Sequence, residues 1–212
     1  YELVVPKARL WAPGDPTLYE LVVELLRDES VVDRVSLDVG LRTVRVDASR
    51  LLVNDRPVYL RGFGRHEDFP IAGRGLLPPV VVKDYALMRW IGANSFRTTH
   101  YPYSDEMLDL ADRLGFLVIS DTPAVGLFFE ATGLERRLAL CRAFTRGLVS
   151  PDKNHPSVVA YAMMPARRYG SQVRGERSKP RRAKFPSVSR GPQLDFLTGR
   201  IRCRVDPLPA DF

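Results

Sequence analysis

Arg97-Thr98-Thr99-His100-Tyr101-Pro102 decides the fold of this 212-residue chain, because it joins a short apolar strand, residues 93–96, to an amphipathic helix. Ser104 provides a cap for that helix, and Gly115 ends it. The apolar residues of the helix recur at helical spacing and are Met107, Leu108, Ala111 and Leu114. Residues 116–119 form a second apolar strand. The pattern predicts a βαβ unit with Arg97 and His100 at the carboxyl ends of its strands, where such units bind ligands.

This stretch and its surroundings resemble the signature of glycoside hydrolase family 2. The matching residues are 94–102, Met107, Leu108, Asp112, Gly115 and the apolar run to Ile119. Two flanking motifs, residues 62–68 (Gly-Phe-Gly-Arg-His-Glu-Asp) and 90–94 (Trp-Ile-Gly-Ala-Asn), look more similar to β-glucuronidases than to the β-galactosidases or β-mannosidases of that family. The resemblance extends from about Leu10 to Val159. It implies a retaining glycoside hydrolase of the β-glucuronidase type.

Three regions follow from the resemblance and from the pattern of strands and helices. Residues 1–47 contain three strand-like runs and are predicted to be the C-terminal part of an immunoglobulin-like β-sandwich domain. Residues 48–165 are predicted to be the N-terminal half of a glycoside hydrolase TIM barrel. Residues 166–212 are predicted to be a basic, disordered tail. The predicted fold class is α/β, a partial TIM (β/α)8 barrel preceded by the end of an immunoglobulin-like β-sandwich domain.

Within the barrel region, a hairpin is predicted first, because Asn54 and Asp55 favour a tight turn. Residues 58–63 are predicted to continue from the hairpin as the first barrel strand. A helix is predicted over residues 83–91, with four residues on its buried side: Ala86, Leu87, Trp90 and Ile91. A further helix is predicted from the apolar spacing of Leu134, Leu138, Cys141, Thr145 and Leu148, and a fourth barrel strand over residues 158–162. Half a barrel is expected to expose inward-facing residues such as Phe96 and Ile119.

The formal net charge of +7 is concentrated in the tail. Residues 166–212 contain 12 Lys or Arg and 4 Asp or Glu, whereas the rest of the chain is close to neutral. A basic tail allows binding to nucleic acid or an anionic surface, but this hypothesis ranks last, because basic low-complexity tails often lack a partner.

The remaining composition argues against several classes of protein. Cys141 and Cys203 are too few for a disulfide framework, and their spacing matches no metal site. Neither a metal site nor a cofactor is predicted. No apolar run is long enough to span a membrane, and no signal peptide is visible. The expected location is cytoplasmic, and oligomerisation is left open.

The resemblance places two catalytic carboxylates outside the recognisable sequence. Retaining glycosidases use one carboxylic acid to protonate the leaving oxygen and one carboxylate as the nucleophile. In the family, the acid belongs to an Asn-Glu-Pro triplet after an Asp-Lys-Asn-His-Pro loop. This chain has the loop, residues 152–156, but Met163-Met164-Pro165 stands where the triplet is expected. The nucleophile belongs to a later strand in the family, and Glu176 has no strand-like surroundings. No catalytic residue is therefore assigned, and the 212-residue chain itself is expected to be inactive.

Four residues are candidates for substrate binding. The resemblance implies that His100 lines the sugar pocket, with a capping or packing role as the alternative. Arg97 is predicted to pair with a carboxylate inside the barrel mouth, and direct substrate contact is the second interpretation. Asp121 is either a sugar contact or a loop cap. His66 is predicted to shape the pocket floor beside Glu67, with an ion network from Arg65 to Glu67 or Asp68 as the alternative. His155 is interpreted as a loop anchor.

The sequence leaves three functional hypotheses. The first is a β-glucuronidase-like enzyme lineage acting on a β-D-glucuronide or a related glycoside. The second is a non-catalytic module that keeps the sugar pocket, and the third is the anion binder that uses the basic tail.

Overall fold

The computed structural model describes residues 3–123, 134–162 and 200–209. Its elements, in chain order, are β1 (Tyr19–Arg27), β2 (Ser30–Val39), β3 (Val44–Asp47), β4 (Arg50–Val53), β5 (Arg56–Val58), β6 (Gly62–Arg65), α1 (Pro78–Trp90), β7 (Ser95–Thr98), α2 (Asp105–Leu114), β8 (Leu117–Asp121), α3 (Leu134–Asp152), β9 (Val158–Ala162) and β10 (Arg200–Pro207). The strands form three sheets. None of the helices in the described ranges has the length and apolar character needed to cross a membrane.

Strands β6, β7, β8 and β9 form a parallel sheet in that order, with α1, α2 and α3 in the connections. This is the arrangement of half a (β/α)8 barrel, so the predicted fold class is confirmed. Gly115 ends α2 with a φ of 72°, a left-handed conformation that glycine adopts without steric cost. The strands β7 and β8 begin one or two residues later than predicted and reach Thr98 and Asp121.

The hydrophobic core of the barrel part lies between this sheet and helices α1 and α2. Helix α1 begins at Pro78, earlier than predicted, and buries Val81, Tyr85 and Met88. The predicted buried face of this helix is wrong, because Leu87 is 48% exposed, Trp90 83% and Ile91 59%. Phe96 is also buried rather than exposed, because its ring packs edge-on against Tyr85 on the helix side of the sheet.

A second sheet is the antiparallel set β3, β4 and β5. The predicted hairpin turn is confirmed between β4 and β5, where Asn54 and Asp55 have φ angles of 50° and 62°. These positive angles fit the tight hairpin turn that Asn and Asp tolerate. Strand β3 pairs with β4 across the predicted boundary at residue 47, instead of joining the sandwich strands before it. The domain boundary itself stays a prediction.

The third sheet has the order β10, β1, β2. Strand β10 pairs antiparallel with β1 from Tyr19↔Pro207 to Leu26↔Arg200. The prediction of a disordered tail is therefore wrong for residues 200–207, whereas residues 163–199 lie outside the described part of the chain. Arg and apolar residues alternate in β10, which places Cys203 and Val205 on the sheet face shared with Val23 and Leu21.

Two side chains before β3 fasten the N-terminal part to the barrel part. The indole N–H of Trp11 donates a 2.7 Å hydrogen bond to the carbonyl oxygen of Asp112 in α2. Arg42 donates to the carbonyls of His155, Pro156 and Val158, so its guanidinium caps the loop that leads into β9. This contact fixes the start of β9.

Candidate functional site

The candidate site lies at the carboxyl ends of β6, β7 and β8, where the predicted residues converge. Its centre is Asp121, the last residue of β8, whose side chain is fully buried. Arg97 on β7 donates to both carboxylate oxygens, from Nε at 2.9 Å and from a terminal nitrogen at 2.8 Å. The predicted ion pair of Arg97 is present, and its two parallel bonds hold both groups in one orientation.

His100 uses the same carboxylate. Its Nδ1 lies 3.0 Å from Oδ2 of Asp121, and its side chain is 30% exposed. Because the carboxylate is paired with Arg97 and accepts hydrogen bonds, the tautomer that fits carries its proton on Nδ1. In this tautomer Nε2 is the ring nitrogen with a lone pair for a hydrogen-bond donor such as a hydroxyl group. The His100 ring bonds to the side chain of Asp121, and this differs from the capping role that was the alternative prediction.

Asp121 is held on its backbone side too. Its N–H donates to Oγ1 of Thr98 at 2.8 Å, and Thr98 is itself fully buried. Since Arg97 and His100 occupy both carboxylate oxygens, Asp121 orients these two side chains and has no exposed surface for a ligand. The two interpretations of Asp121 from the sequence, a sugar contact and a loop cap, stay predictions.

His66 follows β6 and lies beside this group. Its ring centroid is 6.2 Å from that of His100, nearly perpendicular to it, and 6.2 Å from that of Tyr101. The neighbouring Glu67 accepts a hydrogen bond from Ser104 at 3.1 Å, and burial raises the pKa of its carboxyl group. Ser104 thus bonds to a side chain instead of capping α2 with its hydroxyl group.

Arg65 pairs with Asp84 of α1, and not with Glu67 or Asp68 as predicted. The guanidinium is 6% exposed and lies 5.7 Å from the centroid of the Tyr103 ring. The reason is that Arg65 points into the layer between sheet and helices, where Asp84 is within reach. The alternative interpretation, an ion pair from Arg65 to Glu67 or Asp68, is therefore wrong, whereas the role of His66 in the pocket floor stays a prediction.

At the start of β9, His155 is a loop anchor, as predicted. Its Nδ1 lies 2.7 Å from Oδ2 of Asp112, and Oδ1 of Asp112 accepts the backbone N–H of Ser157 at 2.9 Å. Burial lowers the pKa of His155, but the hydrogen bond and charge of Asp112 outweigh it and leave the pKa raised. Asp109 lies 3.8 Å away, so the three side chains have ligand atoms close enough for a metal ion. Both oxygens of Asp112 already serve N–H donors, which accounts for the cluster without a metal.

The end of β9 is also fixed relative to the site. Ala162 pairs with Asp121, and its carbonyl accepts the N–H of Thr122 at 3.1 Å. Ser120 donates a 2.7 Å hydrogen bond to Asp152, whose pKa is raised by burial. Met163, Met164, Pro165 and Glu176, on which the expectation of inactivity depends, lie outside the described residues.

A cavity of about 800 Å³ lies at the opposite end of the sheet, between the loop 13–18 and the segment 113–116. It is larger than the cleft at His100, about 340 Å³. We place the site at the smaller cleft, because parallel sheets present their ligand-binding groups at the carboxyl ends of the strands.

Two family models match the chain. Residues 44–174 match the TIM barrel domain of glycosyl hydrolases family 2, and residues 1–42 match another domain model of glycosyl hydrolases family 2.

Among similar proteins, a β-glucuronidase of Paenibacillus borealis is 46% identical over 171 residues, which cover 76% of this chain and 29% of the relative. The β-glucuronidase of Mus musculus is 43% identical over 167 residues, covering 76% of this chain and 26% of the relative. A structure of the Ruminococcus gnavus β-glucuronidase in complex with uronic deoxynojirimycin has a TM-score of 0.70 and 45% identity, over 74% of this chain and 28% of that chain. The chain thus spans less than a third of the length of these proteins.

Proposed function

Because this chain belongs to glycosyl hydrolase family 2, we propose that it forms one wall of the sugar-binding site of a β-glucuronidase-type glycoside hydrolase. The observation that carries the proposal is the joint anchoring of Arg97 and His100 on the buried carboxylate of Asp121. A carboxylate buried at the carboxyl end of a barrel strand is costly for stability alone, and such positions typically serve function.

In the proposed role, His100 contacts the sugar. Its Nδ1–H is committed to Asp121, so Nε2 accepts a hydrogen bond from a sugar hydroxyl group. Arg97 pairs with the same carboxylate and so fixes the orientation in which Asp121 meets His100. His66, whose ring lies beside His100, completes this side of the pocket.

The substrate class follows from the relatives. The Ruminococcus gnavus enzyme has been crystallised with D-glucuronic acid and with D-glucaro 1,5-lactone. We therefore propose β-D-glucuronides as ligands of this site. The carboxylates for acid catalysis and for nucleophilic attack are not among the residues of this wall.

We also propose that the 212-residue chain binds without turnover. Methionine at positions 163 and 164 offers no proton to the leaving oxygen. General acid catalysis alone contributes a factor of about 10² to 10⁴ in rate, and the loss of a nucleophile adds to that deficit.

The test is a titration of the purified chain with D-glucuronic acid, followed by NMR, and an assay with a chromogenic β-glucuronide. We expect saturable binding that His100→Gln abolishes and His155→Gln retains, and no hydrolysis. Binding that is equal in both variants would exclude the site. Hydrolysis by the wild-type chain that a mock preparation lacks would exclude the absence of turnover.

A further inference from the structure

The cavity of about 800 Å³ lies at the amino ends of the parallel strands, away from the sugar-binding wall. Three residues of its lining, Arg61, Asn94 and Phe116, directly precede β6, β7 and β8. Its other side is formed by the loop 13–18 of the N-terminal part. Among the described residues, none lines both this cavity and the cleft at His100, so the two are separate sites.

The walls of this cavity are held in place by contacts within the protein. The side chain of Asn94 accepts the backbone N–H of Arg61 at 2.7 Å and so fixes the chain before β6. The loop 13–18 packs against the end of α2, since a Cβ atom at Gly115 would lie 3.2 Å from the backbone nitrogen of Gly14. The cavity is therefore preformed, as sites for small molecules usually are.

The charges on the cavity wall are not balanced. The lining contains four arginines and two aspartates, which give a formal net charge of +2. Both carboxylates belong to ion pairs on the wall, and these pairs are Arg9–Asp15 at 3.0 Å and Arg113–Asp38 at 2.9 Å. The two remaining arginines, Arg61 and Arg89, therefore account for the excess positive charge.

Arg61 and Arg89 both keep N–H donors for a ligand. Their side chains are exposed, and within the part of the chain that the structure describes neither guanidinium has a carboxylate partner. One terminal nitrogen of Arg89 donates a 3.0 Å hydrogen bond to the carbonyl oxygen of Leu114, and its other N–H groups stay available. This bond also satisfies a carbonyl at the C-terminal end of α2, which would otherwise disfavour an anion nearby.

We propose that this cavity binds a small organic phosphate, a phosphomonoester whose phosphate group meets Arg61 and Arg89. Such a group carries a charge of about −1.5 to −2 at pH 7, which matches the excess charge of the wall. Guanidinium groups bind phosphate through paired N–H donors. The organic part packs against the apolar part of the lining, which includes Leu18, Leu114 and Leu208. The ligand contacts both the N-terminal part and the barrel part, and the inference does not depend on the proposed function.

The experiment is an NMR titration of the 212-residue chain with phenyl phosphate and with phenyl sulfate, which has the same ring and a single negative charge. Phenyl phosphate is expected to bind saturably, about tenfold more tightly than phenyl sulfate, and to shift the backbone amide signals of Asn94 and Gly115. Arg61→Gln and Arg89→Gln are each expected to weaken phenyl phosphate about tenfold. Arg56→Gln on β5 is the matched control, because Arg56 is also exposed and lies outside the cavity.

Three results would overturn the proposal. The first is the absence of saturable binding of phenyl phosphate, and the second is an equal loss of affinity in Arg56→Gln and Arg61→Gln. The third is a set of shifted signals that excludes Asn94 and Gly115, because the phosphate then binds elsewhere, for example at the basic residues 166–212. A titration with inorganic phosphate tests the organic part, and an affinity equal to that of phenyl phosphate would contradict its packing in the cavity.

Circular dichroism of each variant verifies that the fold is retained. Arg89→Gln removes the hydrogen bond to the carbonyl oxygen of Leu114, so this variant carries a risk of unfolding. Arg61→Gln then decides the test, because the hydrogen bond that Arg61 donates to Asn94 comes from the backbone and is kept in the variant.

Discussion

The four-stranded parallel sheet carries a histidine paired with a buried aspartate at each end, and the two pairs differ in what they leave free. At the amino end, Asp112 receives His155 and the N–H of Ser157, and His155 is only 15% exposed. At the carboxyl end, Asp121 receives His100 and Arg97, and His100 is 30% exposed beside a cleft. The His155–Asp112 pair thus anchors the loop before β9, whereas the His100–Asp121 pair leaves its imidazole beside a cleft.

The comparison teaches that exposure of the imidazole side chain, rather than the His–Asp hydrogen bond, distinguishes a binding residue from an anchor. The distance from Nδ1 to the carboxylate oxygen is 2.7 Å at His155 and 3.0 Å at His100. The shorter hydrogen bond thus belongs to the less exposed histidine, which serves as the anchor. Four substitutions test this distinction, beginning with the one expected to have the largest effect.

Asp112→Ala should destabilise the chain most, by about 2–4 kcal/mol, because it leaves His155 and the N–H of Ser157 without their acceptor inside the protein. Urea unfolding followed by circular dichroism measures the free energy. A loss below about 1 kcal/mol would mean that the loop before β9 is held by Arg42 alone.

Asp121→Ala should cost less, about 1–3 kcal/mol, and should abolish glucuronate binding. The cost is smaller because Arg97 is one-third exposed and regains water as a partner. Urea unfolding and NMR titration of the same sample measure both effects. Unchanged binding would show that Arg97 and His100 keep their orientation without the carboxylate.

His155→Gln should reveal a pH dependence of still smaller size. The pKa of His155 is raised above its ordinary 6.5, so its protonated form stabilises the fold fully below that pH, and this contribution is lost as the pH rises through the folded-state pKa. The free energy of unfolding of the wild type should therefore exceed that of His155→Gln by more at about pH 5.5 than at about pH 9. Asp109, Asp112 and Asp152 face the imidazole and are present in both proteins, so the difference between the two proteins reports the contribution of the histidine. A constant difference would contradict the interpretation.

His100→Gln should change the stability least, by less than about 1 kcal/mol, because Asp121 keeps its two bonds to Arg97. Binding of D-glucuronic acid should nevertheless disappear. A large loss of stability with retained binding would show that His100 is an anchor and not a binding residue.

The sequence predicted the elements whose signals are local. The helix between Ser104 and Gly115 combines one apolar face with a glycine stop, and the hairpin at Asn54-Asp55 depends on turn residues that tolerate a positive φ. The convergence of Arg97 and His100 could be predicted as well, since both lie at the carboxyl end of one strand. These features need no knowledge of distant residues.

The predictions that were wrong concern residues whose packing partners lie far away in the sequence. Helix α1 is apolar on more than one side, so its periodicity favoured Leu87 and Trp90, whereas the sheet selects Val81, Tyr85 and Met88. Likewise, charge and sequence proximity suggested Glu67 or Asp68 for Arg65, and its orientation selects Asp84.

Strand β10 was missed for a different reason. The composition of residues 166–212 was judged as a whole, and its many Arg, Lys, Pro and Ser residues indicated disorder. Within it, Arg200-Ile201-Arg202-Cys203-Arg204-Val205 alternates between charged and apolar residues, the period of a half-buried strand. A search over short windows would have found this signal.

The pairing of β10 with β1 also sets an order of events during synthesis. Tyr19 faces Pro207, so the residues between these two must leave the ribosome before that edge of β1 gains β10 as its partner. At about 5–20 residues per second, the roughly 190 intervening residues take on the order of 10–40 s. The β1 edge then stays open for that time, whereas the β1–β2 hairpin closes within microseconds of emerging. Slow translation would therefore lengthen the period in which nascent chains associate through β1.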